Sequence, residues 1–149
     1  MSHSETAAQL FLDGYNCAQS VAMAFSDVTG IPSQQAAQMV APFGGGFGRQ
    51  REVCGAVSGM CMVLGCLYGY DTPDPDRQMA VYADTQALCR QFQEKAGSII
   101  CREILKNPPS DPAPTPRTAE YYAQRPCSRM VMLACDILDA YIQAHPIEK

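Results

Sequence analysis

A glycine-rich stretch in the first half of the chain restricts the fold more than any other feature. Gly44, Gly45, Gly46 and Gly48 interrupt any regular helix, because glycine loses more backbone entropy on ordering than other residues. The apolar run that follows, 60–68, predicts a helix that begins near Arg51 and ends near Gly69. This start places Cys54 in the first helical turn.

Cys54 is therefore the first candidate for a reactive or metal-ligating sulfur. Free N–H groups and the positive end of the helix dipole favour a thiolate over a thiol in a first turn. Arg49 and Arg51 add positive charge beside it. The backbone expected to border the same cofactor-binding site belongs to Gly44, Gly45, Gly46 and Gly55.

Helical periodicity and capping residues recur along the chain, and no alternating strand pattern of useful length is found. Helices are predicted over about 4–12, 17–28, 33–40, 51–69, 76–95, 99–106, 118–124 and 126–144. The prolines of 107–117 predict an extended surface connection. The chain is thus predicted to form one domain over 1–149, an all-α bundle of about seven or eight helices with a Gly-rich loop and a Pro-rich surface connection.

Charge and hydropathy exclude several classes of protein. The net charge is −4 and there is no basic stripe, which argues against a nucleic-acid partner. No apolar run reaches the roughly 18 residues of a membrane span, and the N-terminus lacks the pattern of a secretory signal. A cytoplasmic protein is therefore expected. Its eight cysteines are then interpreted as reduced thiols, metal ligands or redox pairs rather than structural disulfides.

The eight cysteines fall into two groups by predicted position. Those in the first turns of four separate helices are Cys17, Cys54, Cys101 and Cys127. Those inside helices, interpreted as core residues, are Cys61, Cys66, Cys89 and Cys135. Four converging helix starts would form a pocket suited to thiolates, sulfide or another anion, whereas small buried cysteines are the plain alternative. Cys61 follows Cys54 by two helical turns on nearly the same face, so it is a further candidate ligand.

These cysteine blocks resemble the redox-active protein family named for its pattern, C_GCAxxG_C_C. The matching segments are 14–21 (GYNCAQSV), 43–46 (FGGG), 54–59 (CGAVSG), Cys101 and Cys127. The family label places glycine before the second cysteine, whereas here Cys54 precedes Gly55. The resemblance implies a redox role for the four cysteines, and a likeness to the cysteine-bearing part of split-Soret cytochromes, which holds an iron-sulfur centre.

Covalent haem attachment is excluded for this chain. It has no Cys-x-x-Cys-His sequence, and its only histidines are His3 and His145. The part of the resemblance that concerns an iron-sulfur cluster is unaffected by this difference.

Three functions stay open at this point. In the first and preferred one, the four thiolates hold an iron-sulfur cluster or a single metal ion, zinc being the alternative, in an oxidoreductase or electron carrier with an unknown redox partner. In the second, Cys54 attacks a disulfide and Cys17, Cys101 or Cys127 resolves the product. In the third, a non-catalytic helical protein, homodimeric or bound to another partner, stores or senses a metal. Ligation of a cluster or metal is preferred because the sequence pattern offers four cysteines, whereas a dithiol reaction needs only two sulfurs.

Overall fold

Helices form nearly all of the regular structure in the computed structural model, which describes residues 1–147 apart from the side chains of residues 123 and 124. The elements are α1 (His3–Leu12), α2 (Cys17–Ala24), α3 (Ser26–Thr29), α4 (Ser33–Val40), a 3-10 turn (Ala41–Phe43), α5 (Gly44–Phe47), α6 (Gly55–Tyr68), α7 (Pro75–Ala96), α8 (Cys101–Ile104), α9 (Ala119–Gln124) and α10 (Cys127–Ala144). Within the described range the only β-type pairing is an isolated antiparallel bridge between Val53 and Ile100. The all-α prediction is confirmed. Glu148 and Lys149, the last residues of the predicted domain, lie outside the described residues.

Local capping signals explain several helix boundaries. Asn16 caps α2 through its side chain, which accepts from the Gln19 N–H, and the Gln19 side-chain oxygen in turn accepts from the Asn16 N–H. The predicted helix over 17–28 is divided at Phe25, whose backbone leaves the helical region between α2 and α3. Gly30 then ends α3 in the left-handed conformation.

The prediction of a helix start near Arg51 is wrong by four residues, because the segment before Cys54 is extended. The Cys54 N–H donates to the Ile99 carbonyl at 2.7 Å, and the Cys101 N–H donates to the Glu52 carbonyl at 2.6 Å. This pairing holds 52–54 against 99–101, so α6 begins only at Gly55 and Cys54 occupies its N-cap position. The same pairing shortens the predicted helix over 99–106 to the single turn of α8.

The hydrophobic core lies between α1, α2, α6, α7 and α10. Its largest fully buried side chains include Phe11, Phe25, Phe92, Met60 and Leu138. A smaller cluster joins α2 to α4. Because α2, α6 and α10 pack against one another, their N-terminal ends can meet at one cavity. None of the helices in the described range is both long enough and apolar enough to cross a membrane.

Candidate functional site

A cavity of about 480 Å³ lies where the beginnings of α2, α6, α8 and α10 meet. The cysteines that line it are Cys17, Cys54, Cys101 and Cys127, and the predicted glycines that line it are Gly44, Gly45, Gly46 and Gly55. This volume falls within the range of small-molecule and cofactor sites. The structure therefore brings together the four cysteines that the sequence placed at helix starts, although they are far apart along the chain.

Cys17 and Cys127 form a directly interacting pair in this cavity. Each is the first residue of its helix, α2 or α10, and the interaction between the two thiols shifts their pKa values in opposite directions. The hydrogen bond from Cys17 lowers the pKa of Cys127 to about 7, aided by the positive charges of Arg125 and Arg51. The same bond, together with burial, raises the pKa of Cys17 well above its usual value. Cys127 is thus the cavity thiol closest to ionisation at neutral pH.

Cys54 and Cys101 are held near each other by the bridge between 52–54 and 99–101. Burial raises the pKa of Cys54 to about 12, although the N–H groups of Ala56 and Val57 act in the opposite direction. The prediction that a helix start makes Cys54 the preferred thiolate is wrong, because desolvation outweighs the helix N-terminus. Burial also raises the pKa of Cys101, against the lowering effect of Arg51.

Arg51 is a buried cation on the wall of the cavity, with only 5% of its surface exposed. Its Nη1 lies 3.7 Å from the Cys101 Sγ, and its Nε donates to the Pro109 carbonyl at 2.8 Å. Among the described residues no carboxylate forms an ion pair with it. A buried charge is costly unless an opposite charge accompanies it, so this wall favours an anionic occupant or a thiolate.

The glycine-rich loop forms a left-handed turn rather than an ordinary helix. Gly45, Gly46, Phe47, Gly48 and Arg49 have φ angles of 65°, 75°, 68°, 64° and 66°. The turn is closed by backbone hydrogen bonds, among them Arg49 N–H to Gly44 carbonyl at 3.1 Å. Left-handed backbone costs about 1–2 kcal/mol for each residue with a Cβ, which explains the glycines. The non-glycine members are strained residues beside the cavity, where such strain is often found.

Gly46 of this turn and Gly55 at the start of α6 permit close approach to the cysteine-bearing segments. A Cβ on Gly46 would lie 2.7 Å from the Cys101 Cβ and 2.8 Å from the Arg51 Cα. A Cβ on Gly55 would lie 3.2 Å from the Cys17 Cβ. These glycines therefore have a packing reason to be present, and their contact with a cofactor stays a prediction.

The Pro-rich segment 107–117 covers one side of the cavity, to which Pro112, Pro114 and Thr115 contribute. Arg49 donates to the Asp111 carbonyl and to the Thr115 hydroxyl. We call this segment the proline strap. Sequence reasoning placed it on the surface but missed its position over the site. The sequence signal for this position was the presence of arginines at 49 and 51. A buried arginine needs hydrogen-bond acceptors, and the carbonyl groups of an extended chain can supply them.

Arg117, at the end of the proline strap, is a site residue that the sequence analysis missed. It lines the cavity, its guanidinium lies 4.2 Å from the centre of the Phe11 ring, and it donates to the Tyr15 carbonyl at 2.8 Å. Its charge contributes to the lowered pKa of Cys127. An arginine that follows a proline-rich segment carries no sequence pattern of its own.

Cys61 does not line the cavity and instead packs, partly buried, against the main hydrophobic core. Two helical turns keep Cys61 on the same face as Cys54 but carry it about 10 Å along the axis. Of the other cysteines predicted to be in the core, Cys135 is buried, whereas Cys66 is exposed. The position of Cys66 corrects the core interpretation, because Cys66 lies with Gly65 on the exposed side of α6, whereas Leu67 and Tyr68 pack against the core.

No group of three or more His, Cys, Asp or Glu side chains in the described part of the chain is arranged to hold one metal ion. A single zinc ion needs thiolate sulfurs about 2.3 Å from one point. The pKa of Cys17 responds to Cys127 through a direct interaction and to Cys54 and Cys101 only through their charges. The four thiols therefore line one cavity without being gathered around a single ion-sized point.

The fold and the site define an all-α protein with four cysteines and a buried arginine around one cavity. The family model described as "Putative redox-active protein (C_GCAxxG_C_C)" matches residues 15–141, and the chain belongs to this family. The matched range contains all four cavity cysteines. No curated protein and no solved structure matches the chain.

Proposed function

We propose that this protein is an electron carrier in which the four cavity cysteines ligate an iron-sulfur cluster. The observation that carries the proposal is the buried Arg51, which has no carboxylate partner among the described residues and faces the cavity through Cys101. Four cysteine thiolates are the usual ligand set of [2Fe–2S] and [4Fe–4S] clusters. Such a centre carries negative charge from its ligands, and a buried guanidinium compensates that charge.

The size of the site favours a cluster over a single zinc ion. The cavity measures about 480 Å³, and the described thiols are not gathered around one point. A multi-atom group separates its four ligands more widely than one ion does. The four cysteine ligands and the volume of the cavity therefore agree with a cluster. Zinc binding is treated as one of the outcomes of the experiment below.

Each part of the cavity has a defined role in this proposal. The bound cluster would supply one-electron redox chemistry. The four cysteines would hold it after losing their protons, so loading releases protons and is favoured by raised pH. Arg51 would lower the cost of the buried negative charge, and the proline strap would limit the access of water. Hydrogen bonding and burial of this kind are the means by which proteins set cluster potentials.

Anaerobic reconstitution with ferrous iron and sulfide tests the proposal. The wild-type protein should bind both and show visible absorption with an electron paramagnetic resonance signal on reduction. Serine substitutions of Cys17, Cys54, Cys101 and Cys127, made one at a time, should abolish or alter that spectrum. Cys66→Ser is the matched control, because Cys66 is exposed on α6 outside the cavity.

Two outcomes would contradict cluster binding. One is reconstituted protein that contains neither iron nor sulfide, and the other is wild-type loading in all four cavity variants. Stoichiometric zinc without iron would instead support the metal-storing or metal-sensing alternative.

The position of Cys17 and Cys127 in the same cavity, together with the mutual shift of their pKa values, favours thiol–disulfide exchange as a second candidate function. The attacking thiol would be Cys127, whose pKa is lowered to about 7, rather than Cys54, whose pKa is raised to about 12. The Cys127 thiolate would attack a substrate disulfide and release one thiolate. Cys17 would then lose its proton and displace the second, leaving a Cys17–Cys127 disulfide and two substrate thiols.

A redox titration of metal-free protein separates the two candidates. In the exchange mechanism a two-electron couple is lost in Cys17→Ser and Cys127→Ser but kept in Cys54→Ser and Cys101→Ser. In the cluster mechanism all four cavity cysteines matter for iron binding, and the metal-free protein needs no such couple.

A further inference from the structure

The wall of the four-cysteine cavity carries fixed charge of one sign. The chain has a net charge of −4, yet no aspartate or glutamate of the described residues lines the cavity. Four arginines line it, namely Arg49, Arg51, Arg117 and Arg125. A cleft lined by charge of one sign concentrates the electric field and attracts ions of the opposite sign. The cavity wall therefore favours an anion as its occupant.

Two of these arginines have their donors engaged by the protein itself. Arg49 bonds to two residues of the proline strap. Arg117 bonds to the Phe11 and Tyr15 carbonyls. These contacts fasten the proline strap and the segment that follows it against the rest of the molecule. Arg49 and Arg117 therefore have a structural role that needs no ligand.

Arg51 and Arg125 are the lining arginines that keep unused donors. The Nε and Nη1 of Arg51 face Pro109 and Cys101, but no acceptor among the described residues bonds its Nη2. This nitrogen is not sealed from solvent, so it faces the cavity. The Arg125 guanidinium lies 5.1 Å from the centre of the Tyr121 ring, and no described residue accepts a hydrogen bond from it. Both groups can thus donate to a ligand.

Apolar side chains line another part of the cavity. They belong to α8 and the residue after it, to the proline strap and to α10, and they include Ile104, Leu105, Pro112, Pro114 and Met130. A hydrocarbon group placed against them leaves water, which is favourable. Pro112 and Pro114 are also exposed, so the cavity opens to solvent at the proline strap. A small molecule can therefore enter there.

We propose that this cavity binds a small organic carboxylate. Its carboxylate group accepts hydrogen bonds from Arg125, the charge of Arg51 adds to the attraction, and its hydrocarbon body lies against the apolar wall. A guanidinium presents its donors in a planar fork that matches the two oxygens of a carboxylate. The inference rests on the proposed function in one respect, namely that the bound carboxylate would lie beside the redox centre.

Isothermal titration calorimetry of full-length, reduced, metal-free protein with hexanoate tests the inference. Hexanoate should bind at one site. It should bind about tenfold or more tightly than acetate, which lacks the hydrocarbon body, and than hexanamide, which lacks the charge. Phosphate, a compact anion without apolar surface, should also bind more weakly than hexanoate.

Substitution of Arg125 tests the assigned contact. Arg125→Gln should weaken hexanoate binding about tenfold or more, because a charge-assisted hydrogen bond is lost. The affinity for hexanamide should be nearly unchanged. Arg129→Gln is the matched control, because Arg129 is the next arginine along the chain but is exposed and lies outside the cavity. Circular dichroism checks the fold of both variants, and Arg125→Met replaces an Arg125→Gln protein that does not fold.

Three results would overturn the inference. They are no binding of hexanoate, equal binding of hexanoate and either hexanamide or phosphate, and equal affinities for hexanoate in the two arginine variants. The titration needs no iron, so its failure contradicts the carboxylate site alone. Failure of reconstitution with iron and sulfide contradicts the cluster and leaves the result of the titration intact.

Discussion

The Arg51 guanidinium lies 3.7 Å from the Cys101 Sγ, although the two residues are 50 positions apart in sequence. The bridge between Val53 and Ile100 brings their segments together, and the Arg102 N–H donates to the Arg51 carbonyl at 3.1 Å. The contact joins the end of the left-handed turn to the third cavity cysteine. It therefore gives the cavity a fixed positive charge next to one of its sulfurs.

Replacing Arg51 by methionine should raise the pKa of Cys101, because Arg51 now lowers it through a hydrogen bond and its charge. Alkylation of Cys101 by iodoacetamide, followed by mass spectrometry of metal-free protein, should then require higher pH. Arg102→Met is the control, since Arg102 pairs with the exposed Glu52. Equal pH profiles for Cys101 in the two variants would contradict the assigned role of Arg51.

Gly46→Ala should destabilise the protein by roughly 2–4 kcal/mol, from left-handed strain and from the clash with Cys101 and Arg51. Gly30→Ala is the matched control, because Gly30 has a φ of +76° against +75° for Gly46 but no atom near its missing Cβ. The control should lose only about 1 kcal/mol. Urea unfolding of reduced, metal-free protein measures both changes. Equal losses would show that packing against Cys101 contributes nothing.

Among the cavity thiols, Cys127 should react fastest with iodoacetamide near neutral pH. Its pKa is lowered to about 7 by the Cys17 hydrogen bond, whereas burial raises the pKa of Cys54 to about 12. Cys17→Ala should therefore move the alkylation profile of Cys127 to higher pH. Cys54→Ala should leave that profile nearly unchanged. A Cys127 profile that is insensitive to Cys17→Ala would rule out the hydrogen bond as the cause.

Stability should depend on pH through His3, whose ring is held between two carboxylates. Burial of the ring opposes protonation, but hydrogen bonds to Asp27 and Asp139 outweigh it, so the pKa is raised above its usual 6.5. The resulting stabilisation is fully present below pH 6.5 and is lost as the pH rises through the folded-state pKa. For pairs this exposed it should amount to about 0.5–1 kcal/mol.

Urea unfolding of the wild type and Asp139→Asn tests the His3 interaction. The variant should be less stable at pH 5.5, and the difference should shrink by pH 8.5. Asp136→Asn, exposed one turn earlier on α10, should show no such trend. A difference between wild type and Asp139→Asn that grows with pH would reverse the expected sign.

Loosening the proline strap should expose the cavity. Arg49→Gln removes the charged contact to Asp111 and weakens the contact to Thr115, so the cavity cysteines should be alkylated several-fold faster. The matched control is Arg77→Gln, because Arg77 bonds to the Gly69 carbonyl in a different loop. Equal alkylation rates in the two variants would show that the strap does not limit access.

Much of the helical framework could be predicted from local sequence signals. Asn16, Gly30 and Gly97 define ends of α2, α3 and α7 through chemistry that acts within a few residues. The start of α6 could not be predicted in this way, because it depends on pairing between Val53 and the distant Ile100. Hydrogen bonds between remote segments leave no periodic pattern in either of them.

The candidate site was likewise predictable from the sequence only in part. Its four cysteines are recognisable because each stands next to a helix start and within the family pattern. Their relative reactivity is not recognisable, since burial raises the pKa of Cys54 while contact with Cys17 lowers that of Cys127. The proline strap and Arg117 were likewise invisible, because their roles depend on what lies across the cavity.

By itself, the sequence determined the all-α class, most of the helix ends, the need for glycine in the turn before Arg51 and the identity of the four cysteines. Each of these follows from backbone preferences or periodicity over short distances. Only the tertiary structure decided which thiols share the cavity, which one ionises most readily and which cation faces them. Those properties depend on desolvation and on charges a few ångströms away, and the residues responsible are separated by tens of positions along the chain.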